Sequence, residues 1–256
     1  MISSFKDGDI SIIGMIPEST NGAIKITIDS ASSQIQAILK PDVSIRELWD
    51  FPNQDLNDRE YATYLLSQEI NLNVVPETVI KEIEGVGRAL IQEWVIETAN
   101  DLVIVKSPDD IPEDYLKIIQ GYDQLNKLIT VAHKDDQTLR KISLFDLIIN
   151  NADRKGGHLI TDDKNSIWAI DHGVTWHEEN KIRTVLWGWI GQNFNSDEIE
   201  MLKSSLSVLK RWEVNDFEYL SKIEILSAKE RVEKLLENEI FPSPTGDWPA
   251  VPWPIF

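Results

Sequence analysis

Between residues 146 and 173 two aspartates bracket what reads as a short hairpin, and no other stretch limits the possible folds so strongly. Asp153 follows an apolar helix ending Leu147-Ile-Ile-Asn-Asn151. Asp171 ends a strand of alternating character, Ile167-Trp-Ala-Ile170, and is followed by His172 and by Gly173, which would let the backbone turn sharply. An Asp at a helix end also suits a plain turn. The spacing of eighteen residues, spanning one hairpin, favours a site instead. In such a site Asp153 would activate or orient a hydroxyl and Asp171 would hold a metal ion. That layout belongs to phosphoryl transfer, where catalysis is mostly positioning and charge neutralisation.

A chain of 256 residues can bury one large core or two lobes of ordinary size. Its 42% hydrophobic share and nine Trp fit a packed globule, whereas a formal net charge of −18 argues against nucleic-acid partners and against stable membrane association. The acid excess is uneven: residues 1–128 carry 10 Lys plus Arg against 22 Asp plus Glu, and residues 129–256 carry 15 against 21. The second half is thus the less acidic one, mildly favourable for a polyanion. The first residues lack a basic segment followed by an apolar core, and no apolar run reaches the ~20 residues of a membrane span, so a soluble, cytoplasmic protein is expected. The absence of Cys excludes disulfides, thiolate zinc sites and Cys nucleophiles.

Residues 9–40 alternate as strands do, with turn-rich stretches at 17–22 and 29–33, and read as a three-stranded antiparallel meander. Residues 57–70 read as a helix capped by Asn57, with Tyr61, Tyr64, Leu65 and Ile70 near one face. Two more strands are expected around 77–80 and 90–96. The second half reads as mainly helical, with helices over 113–131 and 137–149, the latter capped by Asp136, then from Ser196 to Leu209. A last helix is opened by a Ser227/Glu230 capping box. The Pro-containing stretch 98–113 is the natural boundary between lobes. The organisation expected is 1–100 as an N-lobe, 101–240 as a C-lobe and 241–256 as a Pro/Trp-rich tail. Pro keeps that tail out of a helix, and Trp248, Trp253 and Phe256 are expected to dock on the protein's own surface.

The order of parts resembles an atypical kinase of the phosphoinositide 3-/4-kinase-like and HipA-like branch, closest to an uncharacterised bacterial group within it. The resemblance covers roughly residues 9–192. It rests on Lys40-Pro41, Leu48-Trp-Asp-Phe-Pro52, Arg59-Glu60, Asn151-Ala-Asp-Arg-Lys-Gly-Gly-His158, Asp171-His-Gly173 and Arg183-Thr-Val-Leu-Trp187, specific as a set and weak singly. It implies an α+β, bilobal protein-kinase-like fold: an N-terminal antiparallel β-sheet lobe with one helix, and a mainly helical C-terminal lobe carrying a catalytic hairpin. It implies ATP as cofactor with Mg2+ or Mn2+, and transfer of the γ-phosphoryl group to a hydroxyl of an unknown acceptor. Lys40 would pair with nucleotide phosphates and be held by Glu60 in an ion pair. Ser19, Thr20 and Asn21 in the first turn would cap phosphate oxygens. The backbone of Gln92-Glu-Trp-Val95, at Glu93 and Val95, would hydrogen-bond adenine. Asp153 and Arg154 would serve catalysis, Arg154 neutralising charge or anchoring the loop.

The chain departs from that pattern at His158, which stands where most such kinases carry a metal-binding Asn. Imidazole suits borderline transition metals, so His158 with Asp171 predicts tolerance of, or preference for, manganese; alternatively Asn150 or Asn151 supplies the oxygen. Asp171, His172, His177 and His158 could also be read as a hydrolytic metal cluster, although no His-Glu-x-x-His helix accompanies them. His133 reads as a surface or turn residue, Arg183 as a phosphate ligand or a surface bridge, and Trp187 and Trp189 as packing residues. Two rivals to the kinase reading stand: adenylyl transfer by the same carboxylates, and a nucleotide-sensing or partner-binding pseudokinase.

Overall fold

A computed structural model describes residues 5, 8–16, 22–30, 33–45, 48–51, 55–98, 101–246 and 248–256. The first half builds a five-stranded antiparallel sheet. The meander is β1 (Asp9–Met15), β2 (Ile24–Ser30) and β3 (Ser33–Pro41), in a register that sets Ile26 beside Ile12 and Ala37. One face of it is apolar by alternation, and Ile26, Ile28, Ala37 and Leu39 are buried there with Phe5, Ala89 and Ile91. After α1 (Leu56–Glu69), β4 (Thr78–Ile83) and β5 (Gly87–Glu93) complete the sheet in the order β1-β2-β3-β5-β4. The β4–β5 turn uses Gly85 and Gly87 at positive φ. Placing β5 next to β3 sets Lys40 opposite Leu90 in the middle of the sheet.

Helix α1 begins after Asp55, and Asn57 lies inside it rather than capping it. Its buried residues include Asn57, Arg59, Glu60 and Thr63 beside Ala62 and Leu66, whereas Tyr61, Tyr64 and Leu65 are only partly covered. The inner face of this helix is therefore largely polar.

The helix expected over 113–131 is replaced by strands. A three-stranded antiparallel sheet, order β6-β8-β7, contains β6 (Val103–Lys106), β7 (Tyr115–Tyr122) and β8 (Leu128–Lys134). The Asp123 carboxylate accepts from the N–H groups of Leu125 and Lys127 at 2.8 Å each, and Asn126 takes φ 58°, which folds the chain back where a helix would continue. The second half is accordingly not mainly helical at its start, and the stretch 98–113 is not a plain linker, since β6 pairs with β8.

Helix α2 (Gln137–Ile149) is capped by Asp136, whose side chain accepts from Thr138 and Leu139, and it ends at Asn150 in the left-handed region. The hairpin β9 (Leu159–Thr161) and β10 (Ile167–Ala169) follows, then α3 (Ser196–Val214) and α4 (Lys222–Asn238). The capping box of α4 is Ser221 with Glu224, six residues before the Ser227/Glu230 pair that also matches the pattern. One large core joins α2, α3, α4, Trp176, Trp189 and Trp212 to Ala62 and Leu66 of α1. Among the described residues no helix is long and apolar enough to cross a membrane.

The C-terminal residues dock on the chain itself. The Ala250 carbonyl accepts from Thr184 N–H (3.1 Å) and Trp187 Nε1–H (2.7 Å), and the Ile255 carbonyl accepts from Gly156 N–H (2.8 Å). The Phe256 ring covers Gly156 so closely that a Cβ there would come within 2.5 Å of it. Trp248 stacks on Trp49, while Trp253 stays exposed.

Candidate active site

The site begins with Lys40 on β3. Its Nζ donates to Glu60 Oε2 at 2.8 Å and Oε1 at 3.1 Å, and to Asp171 Oδ1 at 3.1 Å. Of the charged run on α1, Asp58 pairs with Arg88, and Arg59 is taken by Asp55, Glu224 and the Thr175 carbonyl, which leaves Glu60 to face Lys40. The His172 backbone favours the charged form of Glu60, which burial opposes. Burial alone would lower the Lys40 pKa; Asp171 and Glu60 outweigh it and hold the ammonium above its ordinary value.

Asp171 adopts φ 60°, a conformation Asp tolerates better than most residues. The left-handed turn thus falls on Asp171 itself. Gly173 meets a different constraint, because a Cβ there would sit a tight 3.2 Å from the Leu56 Cβ at the start of α1. The Asp171 carboxylate is half-exposed, and the neighbouring Lys40 charge holds its pKa far below the usual range, so it is ionised.

Asp153 lies across the same cavity, about 370 Å³ in volume and lined also by Lys40, Glu60, Lys155, Asp171 and the apolar Ile45 and Leu56. The loop that carries Asp153 is held from within. Its N–H donates to Asn151 Oδ1 (3.0 Å), and Lys155 Nζ lies 3.1 Å from its carboxylate. Burial raises the Asp153 pKa against the opposing Lys155 charge, and the Asp171 charge raises it further. Arg183, placed at sequence level as a phosphate ligand or bridge, donates Nε to the Ala152 carbonyl at 2.7 Å and braces this loop.

Arg154 does not reach the cavity. It is fully buried, with Nε 3.0 Å from Asp146 Oδ2, Nη2 3.0 Å from Asp146 Oδ1 and 2.7 Å from His172 Nε2, and Nη1 2.9 Å from the Ile170 carbonyl. It is a positioning residue that clamps the Asp153 loop to the strand end carrying Asp171. Its partner Asp146 lies inside Leu144-Phe-Asp-Leu-Ile-Ile149, and a carboxylate within so apolar a helix is the sequence signal of a buried ion pair.

His158 Nε2 faces Asp171 Oδ2 at 3.6 Å, and its Nδ1 is buried without a hydrogen-bond partner among the described residues. Burial lowers its pKa to about 4, so the ring is neutral, the form that binds metals. Asp171 and His158 thus fit a divalent ion as two protein donors, with further oxygens left to phosphate and water. Among the described residues no group of three or more His, Asp or Glu side chains converges to hold a metal. The hydrolytic cluster is not formed: His172 is buried against Arg154, and His177 accepts from Glu179 N–H and packs edge-on to Phe51. Asn150 and Asn151 do not line the cavity; Asn150 Oδ1 accepts from Lys181 N–H and Asn151 Oδ1 from Asp153 N–H.

Ser19, Thr20 and Asn21 lie outside the described residues. Glu93 and Val95 do not line the cavity. The N–H groups of Glu93 and Trp94 donate to Glu77 and Gln36 carbonyls, while Val95 N–H makes no hydrogen bond among the described residues. His133 is not on the surface: it is buried, with Nδ1 2.8 Å from the Lys134 carbonyl and Nε2 accepting from Gly188 N–H. Trp187 and Trp189 are core residues.

No protein-family model matches the chain. Among solved structures it is similar to that of vaccinia related kinase 3, with a TM-score of 0.36 and 10% identity, covering 89% of this chain and 72% of that one. Among curated proteins it is 31% identical over 261 residues to protein Rv2133c of Mycobacterium tuberculosis (strain ATCC 25618 / H37Rv), an alignment spanning 98% of this chain and 93% of the relative. The chain therefore belongs to the family of protein Rv2133c.

Proposed function

We propose that this chain is an ATP-dependent phosphotransferase that moves the γ-phosphoryl group to a hydroxyl. The observation that carries the reading is the ammonium of Lys40, held at once by Glu60 of α1 and by Asp171, with Asp153 across the same cavity. A strand Lys paired to a helix Glu, beside a metal-binding Asp, is the arrangement that holds nucleotide phosphates in protein kinases. Lys40 would bind phosphate oxygens, and the Val95 N–H, without a hydrogen bond among the described residues and outside the lining of this cavity, would meet adenine where the base extends beyond it. Asp171 and His158 would hold a divalent ion, which supplies neutralisation of phosphate charge.

The acceptor hydroxyl oxygen forms a bond to the γ-phosphorus as the bond from that phosphorus to the β–γ bridging oxygen breaks. ADP leaves, and the hydroxyl proton passes to a carboxylate oxygen of Asp153. Its raised pKa makes Asp153 a better proton acceptor than an ordinary carboxylate, and Lys155 beside it offsets the local negative charge. Incubation with ATP labelled at either the α or the γ position tests the proposal. Label should reach an acceptor from the γ position alone, and Asp171→Ala should abolish transfer while leaving the fold intact. Transfer from the α position would establish adenylyl chemistry instead, and undiminished transfer by Asp171→Ala would refute the site.

A further inference from the structure

A second cavity, about 420 Å³, lies between the end of α2, the last turns of α4 and residues 240–245. It shares no lining residue with the cavity of Asp153 and Asp171. Its walls are mostly apolar, with Leu147, Ile182, Trp187 and Leu235 facing it beside Asn180 and Asn238. Two cations, Arg231 and Lys234, also line it, and among the described residues no Asp or Glu does, in a chain whose net charge is −18. Arg231 spends Nε on the Ile148 carbonyl and Nη1 on the His177 carbonyl, both at 3.2 Å, while its Nη2 is buried and has no hydrogen-bond partner among the described residues. A buried guanidinium N–H without an acceptor is costly, and it is matched best by an anionic oxygen.

We propose that this cavity binds an amphipathic anion. An alkyl or aryl body lies against Leu147, Ile182, Trp187 and Leu235, and a carboxylate or phosphate headgroup is held by Arg231 and Lys234. Cavities of this size, mostly apolar with a few convergent polar groups, are the usual form of small-molecule sites.

Calorimetric titration of the full chain with octanoate, octyl phosphate and octanol tests this. At least one of the two anions should bind saturably, one per chain, and about tenfold or more tightly than octanol; the tighter of the two identifies the headgroup. Arg231→Leu should weaken that anion by about tenfold or more and leave octanol unchanged. Because Arg231 also holds two backbone carbonyls, Ser243→Trp at the exposed rim provides an independent variant. It should keep the wild-type melting temperature and abolish binding. Absence of saturable binding by both anions, octanol binding as tightly as either, or anion binding unchanged by Ser243→Trp would overturn the proposal.

Discussion

Replacing Arg154 with methionine should destabilise the protein by about 3–5 kcal/mol, the range for breaking a buried ion pair from one side. Arg154 and Asp146 are both fully buried, joined by two hydrogen bonds at 3.0 Å. Removing the guanidinium strands the Asp146 carboxylate, whose remaining donors are Asn151 Nδ2 at 2.9 Å and Thr184 Oγ1 at 3.5 Å. It also leaves the Ile170 carbonyl and His172 Nε2 without their partner. The double variant Arg154→Met, Asp146→Leu removes the stranded charge, so it should be less destabilised than the sum of the two single changes by at least about 2 kcal/mol. Urea unfolding followed by circular dichroism on the four proteins gives this coupling directly. Additive effects, or a loss below about 1 kcal/mol for Arg154→Met, would refute the assignment of Arg154 as an internal clamp.

The acid limb of kcat/KM should lie above the ordinary Asp value of about 3.9, because Asp153 must be ionised to accept a proton and burial raises its pKa. Lys155→Met removes a charge opposing that rise and should move the limb higher; an unmoved limb would assign it to another group. His133 is buried neutral, its pKa lowered by burial to about 4, so it resists a proton that the unfolded chain accepts below about 6.5. Its stabilisation is full above that pH and is lost as pH falls towards 4, on the order of 3 kcal/mol. His133→Gln should flatten the fall of the urea midpoint over this window, and an equally steep fall would contradict the assignment. Removing residues 243–256 deletes the acceptors at Ala250 and Ile255 and the Phe256 cover on Gly156, and should lower the unfolding free energy by about 2–4 kcal/mol. An unchanged melting curve would show the tail to be dispensable.

What could be read from the residues alone follows from which forces are local. The meander and α2 were legible because alternation and an Asp cap act within a few residues, and the spacing around one hairpin pointed to Asp153 and Asp171 sharing a cavity. Residues 113–131 were not legible, since Leu116, Ile119, Tyr122 and Leu125 fit a helical stripe as well as strands, and the Asp123 turn decides between them. The inner face of α1 was misread towards its tyrosines because Arg59, Glu60 and Thr63 bury themselves against partners such as Lys40, Thr175 and Trp176, distant in sequence. The same holds for Arg154: its direction depends on Asp146, one turn inside an apolar helix, and on backbone carbonyls that carry no sequence signal.

The central claim is that Asp153 accepts the proton of a hydroxyl that attacks the γ-phosphorus. It is tested most directly by single-turnover transfer of γ-labelled phosphate with ATP saturating, comparing Asp153→Asn with the native chain. The variant should bind ATP as tightly as the native chain and transfer phosphate about 10²–10⁴-fold more slowly. Transfer at the native rate by Asp153→Asn, or none by the native chain, would contradict the account.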